Sequence, residues 1–212
     1  MKTNTFEKLS EERQIEILDA SAKIFAEKGY FQAGIAEICE NTGISNGALY
    51  KYFQNKRGLY LAVAQRTLSL LRAKGIEVTE KNDSFWDLLH RIFETVVPFT
   101  EQYRDYFVVY LDIGSPSMED FALELSNDFE GWSVELFSEA AKKAQSKREI
   151  RKDLSVEDVA YLLDNHLLLF AFSRVSEHYN RRFNQFFGRE KGEMSDAQKV
   201  DRIMTSLWHF LR

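Results

Sequence analysis

IAEICENTGISNGALYKYFQNKRGLYL, residues Ile35–Leu61, is the stretch whose reading decides the fold of this 212-residue chain. Ile35, Ile38 and Cys39 recur at helical spacing, and the turn Thr42-Gly43-Ile44 then breaks the pattern. A second short segment starts at Ser45 and carries Ala48, Leu49 and Tyr52 inward. Two short helices joined by a glycine-containing turn form the helix-turn-helix pattern, whose second helix is offered to the major groove of DNA. Between Ser45 and Tyr60 the charged residues are Lys51, Lys56 and Arg57, with no acidic residue among them.

Upstream, Ile15, Leu18, Ala22, Ile24, Phe25 and Ala26 place an amphipathic helix over about Ser10–Lys28, ended by Gly29. The short helices, about 35–42 and 46–52, need it as a packing partner because two helical turns are not stable alone. Residues 1–9 are expected to be loose, and Tyr30 and Phe31 to plug the small core. Downstream, Leu59, Val63, Leu68 and Leu71 predict a fourth helix from Lys56 to about Lys74, a mechanical link to the remainder of the chain. The polar stretch Val78–Ser84 reads as a domain boundary. Phe85, Leu88, Leu89, Ile92, Phe93 and Val96 form an apolar helix face expected to stop at Pro98. An aromatic segment from Phe99 to Tyr110 comes next, then a long helix over about Met118–Ala144. Ser155 and Asp158 have capping-box spacing and open a helix to about Tyr179. Its central run, Leu167–Phe172, is apolar on all sides. The polar segment 180–198 carries Phe183, Phe186 and Phe187, and a last helix runs over about Ala197–Leu211. The expected fold class is all-α.

The formal charge of −5 looks wrong for a nucleic-acid partner until it is divided along the chain. Residues 1–60 hold eight basic and eight acidic residues, and the rest of the chain supplies the whole deficit. A local positive surface, rather than the average, is what phosphate responds to, and an acidic remainder would aim the molecule head-first. A hydrophobic content of 44% with 29% charged residues belongs to a globular protein rather than a disordered one. No stretch reaches the length of a membrane span, and the N-terminus lacks the apolar core of a secretory signal. The lone Cys39 excludes an internal disulfide and a cysteine-based metal cluster, so a cytoplasmic location is expected.

With these residues in view, the run Ile17–Val63 resembles the DNA-binding region of the TetR family of bacterial transcriptional regulators. The resemblance rests on Phe25, Gly29-Tyr30, Ile38, Gly43, Ser45, Gly47, Leu49-Tyr50, Tyr52-Phe53, Lys56 and Leu59. The chain departs from the family at Ala33, where a threonine is usual, and at Gly34, where a small hydroxyl residue is common. Asn46 stands at a frequently basic position, Cys39 at a common alanine and Gly58 at a common acidic residue. The resemblance implies a helix-turn-helix DNA-binding domain over residues 1–55. Helix four, about 56–74, would join it to a helical effector-binding and dimerisation domain over 56–212. It also implies that ligand binding shifts helix four, changes the separation of two reading heads and releases the operator.

Ser45, Asn46, Gly47, Ala48, Tyr50, Lys51 and Lys56 are the expected DNA-binding residues. Asn46 can pair with adenine and Ala48 can meet a thymine methyl, while Lys51 and Lys56 suit phosphate. The plainer reading of each is an ordinary surface residue. One such module makes too few contacts for specificity, so two copies related by a two-fold axis are expected. The candidates for that homodimer interface are Leu162, His166, Phe170, Ile203, Leu207 and Leu211. The plainer alternative is that these residues form an intramolecular core only. Candidates to line a pocket for a small, largely apolar effector are Trp86, Phe93, Tyr103, Phe107, Tyr110, Phe129, Trp132, Asn165 and His166. Most aromatics in such a set serve as core.

The sequence shows no glycine-rich phosphate loop, nucleophile elbow or histidine–carboxylate cluster at telling spacing. The expectation is therefore no enzyme, no metal and no cofactor. The function expected is a ligand-responsive DNA-binding repressor of a palindromic operator. The alternative is a protein-binding adaptor that has lost DNA binding.

Overall fold

The computed structural model describes residues 3–79, 84–188 and 192–212, the side chains of residue 4 and of 127–130 excepted. Regular structure among these residues is helical, and no strand occurs. The helices are α1 (Asn4–Glu7), α2 (Glu11–Gln32), α3 (Ile35–Thr42), α4 (Asn46–Phe53), α5 (Lys56–Thr79) and α6 (Phe85–Gln102). They continue with α7 (Arg104–Ile113), α8 (Glu119–Ser146), α9 (Val156–Val175), α10 (Glu177–Phe187) and α11 (Asp196–Leu211). A single 3-10 turn, Pro116–Met118, precedes α8. The chain divides into two compact units, Met1–Leu71 with Tyr103–Leu125, and Arg72–Gln102 with Ser126–Arg212. Part of the expected boundary at 78–84, and part of the segment 180–198, lies outside the described residues.

In the first unit α2 begins where Ser10 caps it, its hydroxyl accepting from the Arg13 N–H at 3.3 Å. The helix breaks at Gly29, whose φ of 70° lies in the left-handed region that glycine enters without a Cβ clash. One more turn, Tyr30–Gln32, comes after the break. The core beneath is built from Ile17, Phe25, Ile38, Leu49, Phe53, Leu59 and Tyr60, all buried. Phe6 belongs to it as well, fully buried against Phe53, so the N-terminal residues from Thr3 on are ordered rather than loose. The sequence hides this because a lone aromatic in a polar leader has no periodicity to announce it.

Helix α7 is part of this unit and is bonded to its neighbours by two buried tyrosines. The Tyr106 hydroxyl donates to Asp19 Oδ1 on α2 at 2.5 Å and accepts from Arg66 Nε on α5 at 2.9 Å. The Tyr60 hydroxyl on α5 donates to Asp112 Oδ2 on α7 at 3.2 Å. The aromatic segment expected after Phe99 is thus split. Its first residues finish α6, and the rest form α7.

In the second unit α6 runs through Pro98 instead of stopping there. The proline removes one ladder bond, but the flanking turns are held by buried Phe93, Val96 and Thr100. The Thr100 hydroxyl donates to the Val96 carbonyl at 2.7 Å. Conversely, α9 ends at Val175, short of the expected end near Tyr179. Ser176 is extended (φ −124°, ψ 122°) and separates α9 from the short helix α10. Ser155 caps α9 and accepts from the Asp158 N–H at 3.0 Å. A full capping box, Ser195 with Gln198, opens α11. Arg174 on α9 draws together α6 and α11 through bonds to Glu101 and Asp196.

Burial first, and then the neighbouring carboxylates, raise the pKa of both Tyr60 and Tyr106 above the ordinary tyrosine value. The folded chain therefore holds these protons more tightly than the unfolded one. Their contribution is complete below about pH 10, where free tyrosine titrates, and is lost as pH rises beyond it. Tyr106→Phe should cost about 2–3 kcal/mol at neutral pH, because it removes a hydroxyl bonded to two charged side chains. It should also make stability fall less steeply above about pH 10. Urea unfolding midpoints across an alkaline pH series measure both effects.

Candidate nucleic-acid interface

The turn between α3 and α4 is made by Gly43 in the left-handed conformation (φ 65°, ψ 28°), the C-cap of α3. The Ile44 N–H then returns to the Cys39 carbonyl at 3.1 Å, closing the helix end. Arg13, projecting from α2, donates to the Thr42 carbonyl at 2.8 Å and fixes the turn from below. Cys39 is buried and its thiol pKa is raised by that burial, which suits an inert packing residue.

Ser45 caps α4, its hydroxyl accepting from the Ala48 N–H at 3.1 Å. Leu49 and Phe53 point into the core with 0% exposure, which turns the opposite face of α4 outward. Ser45, Asn46, Gly47, Tyr50 and Lys51 are exposed there, and Ala48 is half-buried. Tyr50 is 49% exposed, so its ring is offered to solvent rather than to the core. Nothing lies closer to Gly47 than the Ser45 hydroxyl, so a DNA backbone could approach this turn closely. A helix N-terminus with free N–H groups, neutral donors and one exposed cation, with no acidic residue in α4, is chemically a phosphate- and base-reading surface.

Lys56 stands elsewhere than the rest of the expected set. Its ammonium donates to the carbonyls of Ala33 at 3.0 Å and Phe31 at 3.3 Å, and lies 4.7 Å from the centroid of the Tyr30 ring. It closes the end of α2, a task no sequence spacing signals. Ala33 is 2% exposed, and Gly34 caps α3 without a side-chain bond. The threonine and hydroxyl that the family pattern carries here are replaced by burial on one side and bare backbone on the other. Arg57 is likewise engaged, pairing with Glu124 at 2.6 Å and stacking over Phe121.

In the second unit, α9, α10 and α11 enclose a groove of about 610 Å³. It brings together Leu162, Asn165, His166, Phe170 and Ile203 from the expected interface and effector sets. Leu207 and Leu211 do not line the groove and face the interior of the unit, 1% and 0% exposed. The groove adds residues outside the expected interface and effector sets: Tyr161, Leu169, Arg182 and Phe210, with Phe183, Phe186 and Phe187 of α10. Tyr161 is 73% and Phe186 68% exposed. The strongly one-sided pattern of α10 was the available signal, masked by its many polar residues.

The remaining effector candidates are scattered. Tyr103, Phe107 and Tyr110 belong to the first unit, Phe107 being buried. Phe93 is core in the second unit, near Phe170. Trp86 donates to the Glu149 carbonyl at 3.3 Å and packs on Trp208. The Trp132 ring lies so close to Gly75 that a Cβ there would come within 2.3 Å of it. The Phe129 side chain lies outside the described residues. Among the described residues no group of three or more His, Cys, Asp or Glu is placed to hold a metal ion. No helix among them is long and apolar enough to cross a membrane.

Residues 17–63 match the profile of the family described as "Bacterial regulatory proteins, tetR family". The HTH-type transcriptional activator FasR of Mycolicibacterium smegmatis is 43% identical over 56 residues, 26% of each chain. The chain thus spans about a quarter of that relative's length. Staphylococcus aureus IcaR, named a negative transcriptional regulator of the biofilm operon icaADBC, is 26% identical over 92% of this chain and 97% of its own. Among solved structures, Bacillus subtilis FadR in complex with stearoyl-CoA shares the fold. Its TM-score is 0.71 at 15% identity, covering 91% of this chain and 96% of that one.

The double position of Ser45, cap and surface, allows its roles to be separated. Ser45→Ala should lower stability by about 1 kcal/mol through the lost cap. Ser45→Asp should keep the cap and the stability yet weaken duplex binding, because it sets a carboxylate against phosphate. Urea unfolding and duplex titration of the two variants read the two roles independently.

Proposed function

Since this chain belongs to the TetR family of bacterial transcriptional regulators, which are DNA-binding proteins and not enzymes, we propose that it is a ligand-responsive repressor. It binds a palindromic operator as a homodimer and is released by a small, largely apolar effector. The observation that carries this reading is the outward face of α4: Ser45, Asn46, Gly47, Tyr50 and Lys51 exposed together, with no carboxylate in the helix. The reading head is residues 1–55, and the rest of the chain, from α5 on, serves effector and dimer. Lys56 serves by holding the end of α2 beside the head, and its half-buried ammonium remains close to the surface.

The groove of α9, α10 and α11 supports the dimer. Exposed Tyr161, Leu169 and Phe186 would cost free energy in water, and a two-fold mate buries the same residues from both sides. Trp86, Phe93 and Trp132 are the wall candidates for an effector in the second unit. The stearoyl-CoA in the solved FadR structure supports an amphiphilic, long-chain class of effector here. A ligand can act only through its difference in affinity between two spacings of the reading heads, and α5, with Leu68 and Leu71, would carry that shift. Such work on DNA would be done in the cytoplasm.

The test is retention of short genomic duplexes by purified protein, with the bound pool sequenced and binding repeated across a salt series. The expected result is an enriched palindrome whose affinity falls steeply with salt. Lys51→Ala should weaken binding to all duplexes and reduce the salt slope by about two, one for each protomer of the bound dimer. Binding without a salt slope, or none after unfolding and refolding to strip a carried effector, would overturn the reading in favour of an adaptor. Leu169→Glu should shift the protein to monomer in sedimentation and abolish retention of the full palindrome.

A further inference from the structure

The backbone N–H of Thr3 donates to the Tyr52 carbonyl at 3.0 Å, and its hydroxyl donates to the Lys51 carbonyl at 2.9 Å. Both acceptors lie in the last turn of α4, where carbonyls have no partner within the helix. Three residues on, Phe6 is fully buried, tilted against Phe53 with ring centroids 4.6 Å apart and edge-on to Tyr52 at 5.8 Å. The segment is anchored from behind as well, since Gln14 Nε2 donates to the Leu9 carbonyl at 3.0 Å. A hydroxyl at position 3 thus spends itself on α4 rather than on capping its own helix, for which it makes no side-chain bond.

From these contacts we propose that Thr3–Phe6 is a strap that fixes the last turn of the recognition helix, with Thr3 a positioning residue for operator binding. The inference rests on the reading of α4 as the helix that enters the operator. Lys51 leaves α4 from the residue whose carbonyl Thr3 holds, and Tyr50 precedes it on the same turn. The first turn of α4 is secured separately by Ser45. Release of the strap therefore lets the C-terminal turn fray and moves Tyr50 and Lys51, while the core residues Leu49 and Ile38 keep their places. The strap acts on where the helix's one cation meets phosphate, and so on the register in which base edges are read.

The experiment uses the full-length protein and the palindromic duplex it enriches. Thr3→Val keeps the shape and the backbone bond but removes the hydroxyl. Affinity for the palindrome, and its ratio to affinity for an unrelated duplex, should fall about fivefold, the worth of one ordinary hydrogen bond. Thr3→Ser, which restores the hydroxyl, should recover both. Phe6→Leu, which loosens the same turn from the core side, should lower the ratio too. A contact that only stabilised the fold would shift the unfolding midpoint and leave the ratio of the folded protein unchanged. A wild-type ratio in Thr3→Val and Phe6→Leu overturns the strap. A wild-type protein without salt-dependent duplex binding overturns the operator reading itself, and the strap's role on DNA with it.

Discussion

A helix of eight residues leaves about as many backbone groups unpaired at its ends as it pairs inside, and both helices of the DNA-reading motif have that length. Everything around them can be understood as the supply of partners for those ends. Arg13 reaches from α2 to the last carbonyls of α3. Ser45 takes an N–H at the start of α4, and Thr3 donates to two carbonyls at its finish. Lys56 does the same for the end of α2. The apolar core beneath, with Ile38, Leu49 and Phe53, supplies the burial energy but no direction. The polar bonds orient the helices upon it.

That use of side chains has an electrostatic consequence. Lys56 and Arg57, two of the three cations in the stretch 45–60, are engaged within the first unit, Arg57 with Glu124. The charge that α4 itself presents is Lys51. On an operator, a recognition helix carrying one cation would hold a single half-site weakly at cellular salt, because affinity grows with the number of phosphates neutralised. Specificity for an operator would then lean on neutral donors, on backbone N–H groups at the α4 N-terminus and on doubling the head by symmetry. The acidic remainder of the chain reinforces this economy by disfavouring unspecific contacts along the duplex.

The first unit also takes in more than the motif. Tyr106, Asp19 and Arg66 join α7 to α2 and α5 through a hydroxyl that both donates and accepts, and Tyr60 adds a bond to Asp112. A buried partner of such a hydroxyl, left without its bond, carries the full desolvation cost. The head is therefore stiffened by a helix, α7, that begins at Arg104, far beyond it in sequence. In the second unit the corresponding tie is Arg174, which holds α6, α9 and α11 around one guanidinium.

Local chemistry determined much of this protein. The spacing of Ile35, Ile38, Leu49 and Phe53, the glycine turn at Gly43 and the caps at Ser45 and Ser155 depend on neighbours a few residues away, and a sequence displays them directly. The helical class came from the same periodicities. What depended on distant partners stayed hidden. Phe6 joined the core, Thr3 turned to α4, Lys56 turned to the end of α2, and α6 continued through Pro98 because packing on both sides outweighed one lost bond. Leu207 and Leu211 shared an apolar pattern with Ile203, yet only tertiary packing could divide that face between an interior and a groove. Periodicity says that a residue is apolar on one side of a helix, whereas which neighbour covers that side is decided by contacts far apart in the chain.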